Sequence, residues 1–506
     1  MRVEYVCHAC LLIDTGELTV ATDPWFDGPA YHDQWHVFPR PVRPEAPGEA
    51  DVIVISHGHE DHLHAPTLKG LGNKDARLYH PYYWHAGAID YFRDLGFMAA
   101  REVRSGRSID LGDGTRLTFV VNGQDSVIVL EKDGFVIVNV NDALHSAEPE
   151  VIDLYTAHLR RRWPSIDVVF CGFGGASYYP NVFHLPGKDD RAVGIVREQL
   201  FAHNFCRIIQ GLQPRLAMPF AADFCLLDES QRWINEIRFP RTRLAAYYRE
   251  HFGGEGDEPR IEVMYPGDRL EGLELHKDSP LRAEMREDSL DHLVDLQYRE
   301  EIAARRDRPQ LSAGECEAIA REVESSLRRR ASDFPSEQLA SLRYTIRLRD
   351  PAETPCFHIS FEDGEPCVVP AADPDPEGAL VLETTSGRLG ESVGSTWGGD
   401  VFIIGYGCDV HLDDAGRVRD GTANICVELL VHHLDPGREA RKTPLRMLRY
   451  LASTWFASKD KILRRIRGRE PVGAVGAGGD IKGEFWLLED AASIRRRCGL
   501  PDLDDS

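Results

Sequence analysis

Short β-branched apolar runs recur through the first 270 residues: Leu18–Ala21, Val52–Ile55, Leu117–Val121, Val127–Leu130, Val136–Val140 and Val168–Cys171. Each is too short for a helix, and pairs such as Asp113-Gly114 and Asp133-Gly134 punctuate them as turns, so the pattern predicts strands of a layered α/β unit over 1–270. From about 280 the pattern changes to charged helix formers. Glu315–Arg330 reads as a helix and Ser336 as a cap before Glu337, which makes 271–335 a helical connector. Strand-like runs return at Tyr344–Leu348, Phe357–Phe361, Ala379–Glu383 and Val401–Ile404, with Asp373–Glu377 as an acidic, Pro-containing loop, giving a third region over 336–435. In the last region, 436–506, apolar residues at 445, 448, 451, 455, 462 and 466 fall on one helical face. Thr443 would cap that helix and Pro444 begin it. There is no internal repeat.

Composition narrows the class. A chain of 506 residues with 42% hydrophobic and 28% charged residues has material for several globular cores. Its 59 basic and 82 acidic residues leave a net charge of −23, which opposes a phosphate backbone, so nucleic acid is not an expected partner. Met1-Arg-Val-Glu-Tyr-Val6 alternates like a strand rather than a leader, and no run is long enough to cross a bilayer. With 11 scattered cysteines, an odd number, the expectation is a cytoplasmic protein with reduced thiols and no stable membrane insertion.

The chemistry concentrates in Asp51-Val-Ile-Val-Ile-Ser-His57-Gly-His59-Glu-Asp61-His62. A buried strand runs into a loop holding four potential ligands in six residues, and imidazole with carboxylate suits zinc or iron. This His-x-His-x-Asp-His order after an apolar strand resembles the signature of the metallo-β-lactamase superfamily. Cys7-His8-Ala9-Cys10-Leu-Leu-Ile13 and Thr22-Asp23-Pro24-Trp25 resemble its opening strands. The resemblance implies an αββα sandwich with the site at one edge, His57 and His59 serving one metal, Asp61 and His62 the other, and Asp142 bridging them. It also assigns the catalytic role to Asp61 and His62. Three further segments, Phe173–Pro180, Leu212–Arg215 and Pro219–Ala221, resemble the metallo-β-lactamase portion of the CMP-N-acetylneuraminate hydroxylases, and the similarity thins out through Trp397 and Phe402–Tyr406. That family implies iron and dioxygen chemistry fed by a Rieske cluster. The third region is similar to the small α+β sterol-carrier-protein-like domains that follow such sandwiches, which implies a pocket wall or a homodimer contact.

Two departures from the superfamily pattern matter. Val121-Asn122-Gly123-Gln124-Asp125 stands where a third histidine is usual, and Pro219-Phe220-Ala221 replaces Pro-x-His. Asp125 is the carboxylate that would complete the first site; it makes that site harder and favours iron over zinc. Its alternative is a turn cap before Val127–Leu130. No Rieske motif precedes the first strand; Cys356-Phe-His358 and Cys408-Asp-Val-His411 have the residue types but sit in strand-like runs, so electrons are expected from an external donor or from the substrate. His32 and His36 flank Trp35 in a loop expected to overhang the metal, and His184 is a third candidate substrate contact. His145 and His184 are also candidate substitutes for the missing histidines, and His8 is read as a core or supporting residue. Gly473–Gly479 reads as a loop rather than a dinucleotide site. The basic residues of the 444–467 helix read as a solvated face.

The leading expectation is an iron oxygenase, mono- or dinuclear, hydroxylating a small polar metabolite in a biosynthetic pathway. The alternative is a zinc hydrolase of an ester, amide or phosphodiester, in which the metal lowers the pKa of a bound water. A third class is a binding subunit with a degenerate site.

Overall fold

The computed structural model describes the chain except residues 176–177, 255–257, 286–289, 379, 396–398, 420, 432–435, 460–484 and 503–506. Trp397, the glycine-rich 473–479 segment and the basic residues of the last helix beyond 459 lie outside the described residues.

Alternation within single strands builds the layers. Val52 and Val54 point into one core while Ile53 and Ile55 join another; Ile128 and Leu130 share the first core, whereas Val127 and Val129 join a third. Two sheets therefore face each other across Val3, Leu11, Val52, Phe119, Ile128 and Phe170. The helices Ala65–Gly70 and Ala88–Asp94 cover one outer face, and Pro149–Arg162 with Asp190–Leu212 cover the other. This is the four-layered α/β sandwich of the metallo-β-lactamase type.

The first sheet has eight strands in the order Glu274–His276, Arg269–Glu271, Arg2–Cys7, Cys10–Asp14, Thr19–Thr22, Val52–Val54, Arg77–Pro81, Arg101–Val103. It is antiparallel up to Thr19–Thr22 and parallel thereafter. The second has seven: Arg260–Ile261, Leu216–Phe220, Val168–Gly172, Phe135–Asn141, Asp125–Lys132, Arg116–Asn122, Ser108–Asp110. The connector expected over 271–335 thus begins with a strand of the first sheet before turning helical; the capping box of Ser312 and Glu315 starts Ala313–Ala331.

A third, six-stranded sheet runs Phe183–His184, Cys408–Leu412, Leu380–Thr384, Arg343–Leu348, Cys356–Glu362, Glu365–Ala371. Its edge strand comes from the N-terminal half, and one core joins Trp25, Tyr31 and Phe183 to Ile346, Phe402 and Val410. The expected strand Val401–Ile404 is instead the helix Gly399–Ile403, since its residues pack as one buried face and Gly405 and Gly407 turn the chain behind it. At 336 the cap position is Pro335, and Ser336 is the first helical residue. The C-terminal helix Pro444–Ser453 also departs from its expected orientation. Met447, Tyr450 and Leu451 dock on Tyr83, Trp84 and Val121, while Leu445 and Leu448 are 67% and 62% exposed. Two polar contacts decide this: the Tyr450 hydroxyl donates to Gly123 O at 3.0 Å, and Arg446 pairs with Glu102. Among the described residues no helix is long and apolar enough to cross a membrane.

Candidate metal centre

One edge of the sandwich gathers the ligand types because strand ends coincide there. Val52–Val54 runs parallel to Thr19–Thr22, so the chain leaves both strands on the same side, placing Ser56–His62 beside Asp23. In the second sheet Ile128 pairs with Asn139, and extending that antiparallel register sets Asp125, at the start of one strand, opposite Asp142, just past the end of the other. Asp125 begins its strand directly after the tight Gly123-Gln124 turn, in which Gly123 takes φ 68°.

Three groups of ligand atoms result, each within 4.8 Å: His57, His59 and Asp125; His57, His62 and Asp142; His8, Asp61 and His62. His57 Nε2 lies 2.8 Å from His59 Nδ1 and 3.7 Å from Asp125 Oδ1. His62 Nε2 is 3.4 Å from both Asp142 Oδ2 and Asp61 Oδ2. Buried ligand atoms point inward without hydrogen-bond partners: His62 Nε2, Asp125 Oδ1 and Asp142 Oδ1. Unsatisfied buried polar atoms cost about 1–3 kcal/mol each, so their presence in two adjoining ligand groups, His57–His59–Asp125 and His57–His62–Asp142, fits bound cations. Asp125 Oδ1 is therefore not spent on capping its turn.

The ring orientations are set from behind. Asp23, fully buried, accepts from Ser56 N at 2.7 Å and Ser56 Oγ at 2.6 Å, and its Oδ2 lies 3.0 Å from His62 Nδ1. Ser56 Oγ is in turn 2.8 Å from His57 Nδ1. Both imidazoles thus have Nδ1 engaged and Nε2 aimed at the centre, the arrangement in which outer partners orient ligating histidines. Asp61 is held by His8 Nε2 at 3.0 Å and by the Tyr31 hydroxyl at 2.5 Å.

Charge coupling is strong. Burial with the neighbouring His62 and His59 drives the His57 pKa well down. Burial opposes charge on His62 too, but Asp61 and Asp142 overcome it and raise that pKa. Asp142 is held well below the usual carboxylate range against its burial, chiefly by His62 and His145. Burial raises the Asp125 pKa.

The remaining candidates sit as follows. His145 Nδ1 is 2.8 Å from Asp142 O, behind that carboxylate. His184 lies between Asp190 (2.7 Å) and Asp409 (3.3 Å), which raise its pKa to about 9 despite burial. His36 is buried against Arg305 and Tyr298, and His32 abuts Gly387. Where Pro-x-His would end, Ala221 N donates to His8 O, and both residues have positive φ. Cys356 and Cys408 stand on strands separated by two others, ~14 Å at ordinary strand spacing, and Cys408 is a core residue. Sequence reasoning did not single out Tyr31, and saw Asp23 only within a motif; an aspartate directly after a strand and before Pro24 was the available signal.

Residues 2–185 match the family model described as a beta-lactamase superfamily domain. The chain is 30% identical over 255 residues (47% of this chain, 40% of the other) to cytidine monophosphate-N-acetylneuraminic acid hydroxylase of Danio rerio. It is 28% identical over 248 residues (47% of this chain, 46% of the other) to a protein of Mycolicibacterium smegmatis named for a Rieske 2Fe-2S iron–sulfur centre. The match spans less than half the length of these relatives. Among solved structures, CmlA, a diiron β-hydroxylase from Streptomyces venezuelae, is 17% identical over 53% of each chain with a TM-score of 0.36.

Proposed function

Residues 2–185 carry a beta-lactamase superfamily domain, and from that premise we propose that the chain is an iron-dependent oxygenase that hydroxylates a small polar molecule. The observation that carries this reading is Asp125. A buried carboxylate oxygen without a partner stands beside His57 and His59 where the superfamily usually has a histidine, and oxygen-rich sets suit iron. Similarity to a hydroxylase over 47% of the chain supports the same chemistry.

His57, His59 and Asp125 would hold one iron, and His62 and Asp142 a second; Asp61, braced by His8 and Tyr31, would complete the shell on that side. Bound iron would supply the reduction of dioxygen that places one oxygen atom in a C–H bond and releases the other as water, using two electrons from an external donor and two protons from solvent. The chain's own residues orient and exclude. Asp23 and Ser56 fix the two imidazoles, and the helix Pro444–Ser453 closes the edge by binding the Gly123 turn. The α+β unit after 336 is read as a sterol-carrier-protein-like wall to this site, sharing the core around Tyr31.

Metal analysis tests the reading. Full-length protein purified without added metal should contain iron, with visible absorption that changes on reduction and again on exposure to dioxygen. Stoichiometric zinc with no such change would instead mean a hydrolase.

A further inference from the structure

Behind the metal centre lies a second polar cluster that the oxygenase reading does not use. Gly174 and Gly175 form the partition. A Cβ on Gly175 would lie 2.5 Å from His145 Nε2, on the metal side, and a Cβ on Gly174 would meet Glu198 Oε2 at 3.4 Å, on the other. Beyond them is a cavity of about 50 Å³, walled by Phe173, Phe224, Ile234, Phe239 and Val294 and carrying Glu198, Asp223, Arg238 and Arg241.

The charges there pair off unevenly. Arg241 binds Asp223, and Glu198 is taken by Arg197 at 3.1 Å. Among the described residues Arg238 makes no ion pair within 4 Å, although Glu198 and Asp223 favour its charge from further off. Its Nη1 donates to Ala222 O at 2.8 Å, but its buried Nη2 has no hydrogen-bond partner. The guanidinium lies 4.2 Å over the Phe224 ring, which is itself stacked on Trp35 at 3.6 Å, so the group is held flat and cannot swing to another acceptor without losing that contact. An unsatisfied cationic donor in an apolar surround is costly. An anion presented to Nη2 would remove that cost.

We propose that this cavity is a binding site for a small organic carboxylate, its anionic group on Arg238 and its apolar body among Phe173, Phe239 and Ile234. One leftover positive charge suits a monoanion. A phosphate dianion would meet Glu198 and Asp223 as well. The carboxylate site does not rest on the oxygenase reading.

Calorimetric titration of the full-length protein with acetate, acetamide and methyl phosphate tests it, with metal content measured on the same samples; a cavity of this size takes about four non-hydrogen atoms. Acetate should bind saturably, and acetamide, equal in shape but uncharged, at least about tenfold more weakly. Arg238→Gln should lose acetate binding by a similar factor without loss of metal, and Arg238→Lys should keep part of it. His62→Ala should bind acetate as the parent does, so a failed metal reading leaves the result legible. No saturable acetate binding, or equal binding of acetamide, overturns the site even if the Arg238 variants do not fold. Preference for methyl phosphate overturns the carboxylate assignment.

Discussion

At the scale of single residues, the chemistry turns on what one side chain leaves unsatisfied. Asp125 Oδ1 is buried without a partner 3.7 Å from His57 Nε2. Asp125→Asn removes the anionic oxygen, and iron occupancy measured by elemental analysis should fall several-fold. Asp125→His restores a ligand of the usual superfamily kind and should raise the zinc-to-iron ratio. If both variants bind metal like the parent, Asp125 is a turn residue and the case for iron goes with it. His184 shows the opposite situation, a fully engaged group. Its folded pKa of about 9 exceeds the unfolded value near 6.5 because Asp190 and Asp409 favour the cation. A raised pKa contributes stability that is complete below about pH 6.5 and fades as pH rises through 9. The linkage amounts to roughly 1–3 kcal/mol after allowance for partial exposure. Denaturant unfolding of the parent and His184→Gln should therefore differ most at pH 6 and converge by pH 10; a gap constant with pH would show that the ion pairs contribute nothing.

Elements are positioned by close approach as much as by apolar faces. The helices Pro149–Arg162 and Asp190–Leu212 meet where Gly211 faces Thr156. Glycine inside an exposed helix costs up to about 1 kcal/mol relative to alanine, so propensity alone would make Gly211→Ala stabilising. Here the new Cβ would lie 2.5 Å from Thr156 Oγ1 and 2.7 Å from its Cβ. A β-branched side chain that also bonds Ile152 O has little room to yield. The sign should reverse, with a loss of ~1–3 kcal/mol seen as a lower thermal midpoint. Combining Gly211→Ala with Thr156→Ala, which deletes Oγ1 along with the methyl, should recover part of it.

For the whole molecule the central fact is that the N-terminal sandwich does not own all of its core. Val6, Trp25, Tyr31 and Phe183 are buried against residues beyond 340, and Phe183–His184 is hydrogen-bonded into the third sheet. Around this junction Asp228 accepts from Arg305 and Arg388, which also reach Asp33. Uncovering such a surface leaves both apolar area and paired charges exposed, and Tyr31 would lose the packing that holds it on Asp61. Full-length protein should therefore unfold in one calorimetric transition, while a fragment of residues 1–270 should show no cooperative transition and should aggregate. A soluble fragment with its own sharp transition would refute this coupling.

Sequence alone carried the layered α/β class and the ligand-rich loop after Val52–Val54; it nominated Asp125 as a ligand and set aside Cys356 and Cys408 as a cluster. Those signals are local: strand period, turn residues and ligand spacing are written in neighbouring positions. Tertiary structure decided the rest. Asp23 behind His62, Tyr31 on Asp61, and Arg238 with an unpaired nitrogen are facts about residues brought together from distant strands, which no local pattern encodes. The last helix shows the limit most directly. Its apolar spacing singled out 445, 448, 451 and 455, of which Leu451 docks and the other three stay exposed, because Tyr450 and Arg446 set its orientation through partners more than 300 positions away. Periodicity reports that a helix has faces; which face is buried depends on the hydrogen bonds and charges waiting on the surface it meets.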